Sequence, residues 1–314
     1  MRILVALGGN ALIRAGERGT WEEQRANALA AARAVAKLRR AGHEVVITHG
    51  NGPQVGALAL RQDDSAPLPL DALVAMTQGQ IGHLLMQAIA EVAPELDAVT
   101  VLTRALVSAD DPAFAREPTK PIGPFYPESQ ARGLAAERGW AVGPDAGRGW
   151  RRMVASPRPS EILEREHIAR LAAGGAVVIA GGGGGIPVDA HGAGVEAVID
   201  KDRCATELAL GIGSDVLMLT TGVERVSFDY GTRWQRDMAR LTVSDALRHL
   251  DEGDFPAGSM GPKIESAARF ASLGGRALIT DPAHMAAALG GDRGTWIVPD
   301  EHGPSAVAPA PVAA

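Results

Sequence analysis

The stretch Glu44-Val45-Val46-Ile47-Thr48-His49-Gly50-Asn51-Gly52-Pro53 decides the fold class. Glu44–Thr48 reads as a short strand with an apolar centre, and the glycines after it mark a tight loop. Pro53, whose fixed φ suits the first turn of a helix, marks a helix start. The same unit recurs: Ile3–Leu7 runs into Gly8-Gly9-Asn10, and Ala176–Ala180 runs into five consecutive glycines, Gly181–Gly185. Helices lie between these strands. Thr20-x-x-Glu23 is a capping box opening an Ala-rich helix to about Ala41, acidic at its start and basic at its end, with Gly42 beyond. A longer helix is predicted over about Leu70–Val92 and a strand over Ala98–Leu102, and Ser160 reads as the cap of a helix to about Ala173. Later strands are Val216–Leu219, Val223–Phe228, Ala277–Thr280 and Trp296–Val298; Thr242-x-x-Asp245 and Pro262 open the last helices. Strands alternating with helices predict an α/β fold with a mainly parallel sheet. In such sheets ligands bind at the carboxyl ends of the strands, where these glycine clusters fall.

Composition narrows the function. The 314 residues are 46% hydrophobic and 22% charged, as in an ordinary globular protein, with a net charge of −6. That charge argues against a nucleic-acid partner, which would call for a basic stripe. The one cysteine, Cys204, excludes an internal disulfide and fits a reducing, cytoplasmic setting; residues 1–7 are too short for a signal segment, and no apolar run has membrane-spanning length. Residues of about 105–152 are rich in Pro, Gly and charge without clear period and read as an inserted lid, while the Pro/Ala-rich residues 301–314 read as a disordered tail.

Three glycine loops at one sheet edge favour a phosphate site, because backbone N–H groups in such loops and at helix N-termini attract anions. No G-x-x-x-x-G-K-[ST] is present, and Gly181–Gly185 lacks G-x-G-x-x-G, so neither a P-loop nor a dinucleotide site is expected. Among 31 basic residues only four are lysine: Lys37, Lys120, Lys201 and Lys263. A chain this biased to Arg keeps Lys where a compact ammonium on a thin stem is needed. Lys263 follows Pro262 in a first helical turn, and Lys201 precedes Asp202, read as the N-cap of the next helix. Cations at two helix N-termini make sense with a polyanion between them, although Lys263 with Glu265 and Lys201 with Asp200 would also serve as surface ion pairs. Lys120, in the lid, is either a solvated residue or a charge delivered on closure. The eight histidines show no metal-ligand spacing, so no protein-held metal is expected. His49 reads as a packing residue and Cys204 as buried and inert.

The motifs ALGGNAL (6–12), HGNGPQVG (49–56), MTQGQIG (76–82), TKPIGPF (119–125), GWRR (149–152), GGGGIPV (182–188), VIDKD (198–202) and MGPK (260–263) together resemble the carbamate kinases. The resemblance runs from about Ile3 to Val298. It implies the amino acid kinase fold: one three-layer αβα sandwich over residues 1–300 with a protruding lid, an acceptor-binding part (1–195) and a nucleotide-binding part (196–300). It implies reversible phosphoryl transfer between carbamoyl phosphate plus ADP and carbamate plus ATP, with Mg²⁺, in a homodimer. By match, Gly8, Gly9, Asn10, Gly50, Asn51 and Gly52 hold the transferring group and carbamate. Lys120, Lys201 and Lys263 neutralise the phosphates, Asp202 orients the lysines, and Met260 and Gly261 join Lys201 and Lys263 at the nucleotide. Ala155, Glu224 and Ser227 depart from the family pattern, the last two in the segment bordering the nucleotide. The rival readings are a kinase of the same fold acting on another small carboxylate and a catalytically silent nucleotide-binding regulator; all three site lysines are present, which disfavours the second.

Overall fold

From the N-terminus the chain runs through β1 (Arg2–Leu7), α1 (Trp21–Arg40), β2 (Glu44–His49), α2 (Gly52–Leu60), α3 (Leu70–Val92) and β3 (Ala98–Thr100). There follow β4 (Arg104–Val107), α4 (Pro112–Ala115), β5 (Lys120–Tyr126), α5 (Glu128–Arg138), β6 (Ala141–Pro144), β7 (Trp150–Val154) and β8 (Pro159–Ile162). The remainder comprises α6 (Arg165–Ala173), β9 (Val177–Ile179), β10 (Ile186–Val188), α7 (Lys201–Gly211), β11 (Val216–Thr220), β12 (Val226–Phe228), β13 (Arg236–Met238) and β14 (Arg240–Thr242). It closes with α8 (Val243–Asp251), α9 (Met260–Ser272), β15 (Arg276–Thr280), α10 (Met285–Leu289) and β16 (Thr295–Val298). This computed structural model describes residues 1–300 apart from 9–10, 15, 63–66, 146–148 and 257–258; the tail expected to be disordered lies outside the described residues.

Eight strands form the main sheet in the order β14-β16-β15-β11-β1-β2-β9-β3. Every neighbouring pair is parallel except β15 with β16. Alternation along the strands gives the sheet two apolar faces. Ile3, Val5 and Leu7 of β1, with Val45 and Ile47 of β2, pack on α1, α3 and α10 through Ala31, Val35, Leu84, Leu85 and Met285. Leu4 and Ala6, with Val46 and Leu217, face the opposite layer of α6, α7 and α9 through Ile168, Ala205, Leu208, Ile264 and Ala267. The result is a three-layer αβα sandwich. β1 lies at the centre, pairing with β2 on one side and with β11 on the other. The chain therefore leaves β1 first toward one half of the sheet and later toward the other, which makes the carboxyl end of β1 a switch point where a crevice opens.

Three smaller sheets accompany this frame, one of them the two-stranded antiparallel pair β12-β13. β5, β7 and β6 form an antiparallel sheet carrying α5, and β10, β4 and β8 form a mixed one, β4 running parallel to β10 and antiparallel to β8. Residues 104–107, at the edge of the segment read as irregular, thus pair with β8 and β10 rather than with the β5-β7-β6 insert. Ser160 is not a helix cap. It lies within β8, its hydroxyl donates to the Leu106 carbonyl at 3.2 Å, and α6 begins five residues later after Glu164. Pairing with β4 outweighs the local capping preference of serine there.

Candidate active site

The loops at the carboxyl ends of the central strands are locked to one another. The Gly8 N–H donates to Thr220 Oγ1 at 2.9 Å, and a Cβ at Gly8 would stand 2.6 Å from the Thr220 carbonyl oxygen. The loop after β1 therefore seats against the end of β11 only without a side chain. Gly9 and Asn10 lie outside the described residues. After β2, the Gly50 N–H donates to the Leu7 carbonyl at 3.3 Å, and the buried Asn51 amide donates to Thr77 Oγ1 of α3 at 2.8 Å. Gly52 opens α2, whose N-terminus lies at this edge. The five glycines after β9 are a packing device: a Cβ at Gly182 would come within 2.4 Å of His49 Nε2, at Gly183 within 2.2 Å of Asn51 Nδ2, and at Gly184 within 2.2 Å of the Ile199 carbonyl. His49, 1% exposed, donates from Nδ1 to the Gly50 carbonyl, and burial pushes its pKa down to about 4, so it packs as a neutral ring. Cys204 is fully buried with its thiol pushed up to about 12 by burial, as expected of an inert residue.

Beside these loops sits a cluster of three ammonium groups and two carboxylates. Lys201 and Asp202 occupy the first turn of α7, and Lys263 the first turns of α9. Lys263 Nζ donates to both oxygens of Asp202, at 3.0 and 3.1 Å, and Lys201 Nζ reaches Asp202 Oδ2 at 3.4 Å. Lys120, the first residue of β5, pairs through Nζ with Asp200 Oδ2 at 2.5 Å. Burial alone would raise the Asp202 carboxyl, but the ammoniums of Lys201 and Lys263 hold it below the ordinary range. Burial pushes Lys263 down, and the like charge of Lys201 adds to this against the pull of Asp202. Lys201 is raised, because the carboxylates of Asp202 and Asp200 outweigh its burial. One carboxylate divided between two cations leaves positive charge unspent at two helix N-termini, the charge and geometry that suit a phosphate chain.

Several particulars differ from the sequence reading. Asp202 is not the N-cap of α7. Asp200 is, its Oδ1 accepting from the Asp202 backbone N–H at 2.9 Å, which frees Asp202 to point at Lys263. Lys263 is not a surface cation; it is 6% exposed. Glu265, a possible partner for it, pairs instead with Arg158 and Arg203. Lys201 pairs with Asp202 rather than as a surface pair with Asp200. Met260 opens α9, and the Gly261 N–H donates to the Pro256 carbonyl at 3.0 Å. Glu224 is held by Arg293, and the Ser227 hydroxyl donates to Asp237 at 2.7 Å, so both departures from the family pattern have local partners.

Residues to which sequence reasoning gave no place in the site join it. Asp200, read there only as a surface partner of Lys201, is one. Gly56 of α2 and Gly123 of β5 are others: a Cβ at Gly56 would stand 1.8 Å from Gly123 Cα, so helix and inserted strand touch backbone to backbone. Arg151 of β7, 8% exposed, donates from Nε to the Gly123 carbonyl at 2.8 Å, pairs with Asp145 at 3.0 Å and lies over the Phe125 ring. These contacts seat the strand that carries Lys120 against the start of α2. GWRR (149–152) and the small residue in HGNGPQVG were the available signals.

An open parallel sheet with a lysine cluster and glycine loops at its switch point describes a phosphoryl-transfer protein, and the family model of the amino acid kinase family matches residues 1–281. A carbamate kinase of Pyrococcus horikoshii is 45% identical over 312 residues, covering 95% of this chain and 99% of the relative. One of Halobacterium salinarum is 45% identical over 303 residues, covering 94% and 98%. The solved carbamate kinase of Giardia lamblia bound to AMP-PNP superposes with a TM-score of 0.86 at 40% identity, covering 95% of this chain and 98% of that one. The chain belongs to the carbamate kinases of the amino acid kinase family.

Proposed function

We propose that the chain transfers a phosphoryl group reversibly between carbamoyl phosphate and ADP, giving carbamate and ATP. The observation that carries this reading is the cluster of Lys120, Lys201 and Lys263 around Asp200 and Asp202 at the glycine-lined end of the sheet. Carbamate is already an anionic oxygen nucleophile, so transfer in the direction of carbamoyl phosphate calls for no general base. Catalysis reduces to holding two anions in line and stabilising the charge on the moving phosphoryl group. Lys201 and Lys263 neutralise the nucleotide phosphates, with Met260 and Gly261 beside them, and Lys120 meets the transferring group from the acceptor side. Asp202 orients Lys201 and Lys263. Gly8, Gly9, Asn10, Gly50, Asn51 and Gly52 cradle the carbamate and the phosphoryl oxygens through backbone N–H groups and the Asn side chains. On this reading residues 1–195, with the lid, serve the acceptor and residues 196–300 the nucleotide.

Mg²⁺ is assigned as a companion of the nucleotide. Both carboxylates of the cluster are already bonded to ammonium groups, a donor set that suits a metal carried on phosphate oxygens and water rather than one held by side chains. When bound it would offset phosphate charge. No helix among the described residues is long and apolar enough to cross a membrane, and a cytoplasmic homodimer is the assembly this reading carries with it. The test is ATP formation by the purified protein from ADP and carbamoyl phosphate with and without Mg²⁺. A Mg²⁺-dependent rate well above the uncatalysed background is expected; no such rate, or faster turnover with another small carboxylate such as acetylglutamate, refutes the reading.

A further inference from the structure

Asp200 uses both oxygens of one carboxylate on different parts of the molecule. Oδ1 accepts from the Asp202 backbone N–H at 2.9 Å and, at 3.4 Å, from that of Arg203, which makes it the N-cap of α7. Oδ2 accepts from the Lys120 ammonium, 80 residues away at the start of β5. α7 presents Lys201 and Asp202 in its first turn, and Asp202 holds Lys263 in turn. One carboxylate therefore joins the helix that sets two of the cluster's cations to the strand that carries the third.

We propose that Asp200 is a positioning residue, a clamp that places Lys120 of the inserted sheet relative to the N-terminus of α7 without itself touching the transferring group. The inference rests on the phosphoryl-transfer reading for its effect on rate, but not for the contact. A lysine ammonium has three N–H donors, and a single bond to Asp200 leaves two for phosphoryl oxygens. An unclamped lysine stem would sample many rotamers, and confining it costs the equivalent of about a tenfold to thirtyfold change in rate. Although burial works against ionisation, the ammoniums of Lys120 and Lys201 hold the Asp200 carboxyl well below the usual carboxylate range, so the clamp stays charged at neutral pH.

The capping and clamping roles separate by substitution. Asparagine caps a helix about as well as aspartate, so Asp200→Asn keeps the start of α7 and removes the charge facing Lys120. Turnover of Asp200→Asn is expected to fall about tenfold or more, with KM for ADP within twofold and the unfolding midpoint unchanged. In a Lys120→Ala background the same substitution should have no further effect. Unchanged or faster turnover in the single variant overturns the proposal, and so does an equal further loss on top of Lys120→Ala, which would mean that Asp200 acts through α7 alone. A second readout needs no activity. With only four lysines in the chain, a ¹³Cε-lysine spectrum shows four signals, and Asp200→Asn should move that of Lys120 and leave that of Lys37 in place. An unmoved Lys120 signal overturns the clamp whatever the protein's activity, whereas an inactive wild type with a moved signal would refute the phosphoryl-transfer reading and leave the clamp standing.

Discussion

Lys263→Met is the perturbation that best separates chemistry from stability at this site. Methionine approximates the length and bulk of the lysine stem without its charge. Two charge-assisted hydrogen bonds to Asp202, at 3.0 and 3.1 Å, are lost; such bonds contribute about 1.5–3 kcal/mol each. Against this, a 6% exposed ammonium no longer has to be desolvated, which costs on the order of several kcal/mol per ion, and its repulsion with Lys201 disappears. Asp202 keeps Lys201 as a counter-ion. The terms nearly cancel, and the expected change in unfolding free energy is within about 1 kcal/mol of zero, because one carboxylate facing two cations becomes one facing one. Turnover should nonetheless fall by roughly 10²–10³, the usual effect of deleting a preorganised charge stabiliser. Asp202→Asn is the mirror image: it removes the carboxylate that bonds both the buried Lys263 and the half-buried Lys201, leaving Asp200 as the remaining negative charge beside them, and should cost roughly 3–5 kcal/mol. Urea midpoints and ATP-forming rates of both purified variants provide the assay. A loss of 3 kcal/mol or more in Lys263→Met would make Lys263 a structural residue, and turnover within tenfold of wild type would remove it from the chemistry; either result refutes the reasoning.

Lys263→Arg should fail despite keeping the charge. A planar guanidinium is wider than the buried slot, a displacement of ~1 Å can cost on the order of a hundredfold in rate, and overpacking should lower stability by about 1–3 kcal/mol; wild-type turnover with unchanged melting would show that charge alone matters. Gly56→Ala brings a Cβ to within 1.8 Å of Gly123 Cα, so α2 and β5 must part. A lower melting temperature together with slower turnover is expected, since Lys120 rides on β5, and normal values of both would show that the two elements are free to separate. Stability should fall on acidification between pH 6.5 and about 4, the interval over which the unfolded chain protonates His49 and the folded chain does not. The loss approaches about 3 kcal/mol at the lower end. Denaturation at stepped pH should show this slope, flattened in His49→Gln; an equal slope in that variant would place its origin elsewhere. The depressed carboxyls of Asp200 and Asp202 contribute stability above the ordinary carboxylate range that is lost only as the pH falls further.

Much of the frame was legible because it is written in local patterns. The apolar strands ending in Gly8, Gly50 and Gly181, the Thr20–Glu23 capping box and the helix over Leu70–Val92 depend on neighbours a few residues apart, and each forms where its pattern stands. The scarcity of lysine pointed to Lys120, Lys201 and Lys263 for a comparable reason: residue choice in a composition this biased records a local chemical demand. What the sequence by itself left open are the partners. Ser160 carries a good capping side chain, yet strand pairing with β4 claims it. Asp202, adjacent to a helix start, looked like a cap, but the cap is Asp200, two residues earlier, and the hydrogen bond that holds Asp202 to Lys263 spans 61 residues of chain. The pairing of Lys120 with Asp200 spans 80, and the contact of Gly56 with Gly123 joins a helix of the main layer to an inserted strand. Local propensity determines which segments become strands and helices, but the order of strands in the sheet determines which of their ends meet. Only when β1 stands between β2 and β11, with the β5 strand folded back on α2, do three lysines scattered over the chain face two carboxylates in one place.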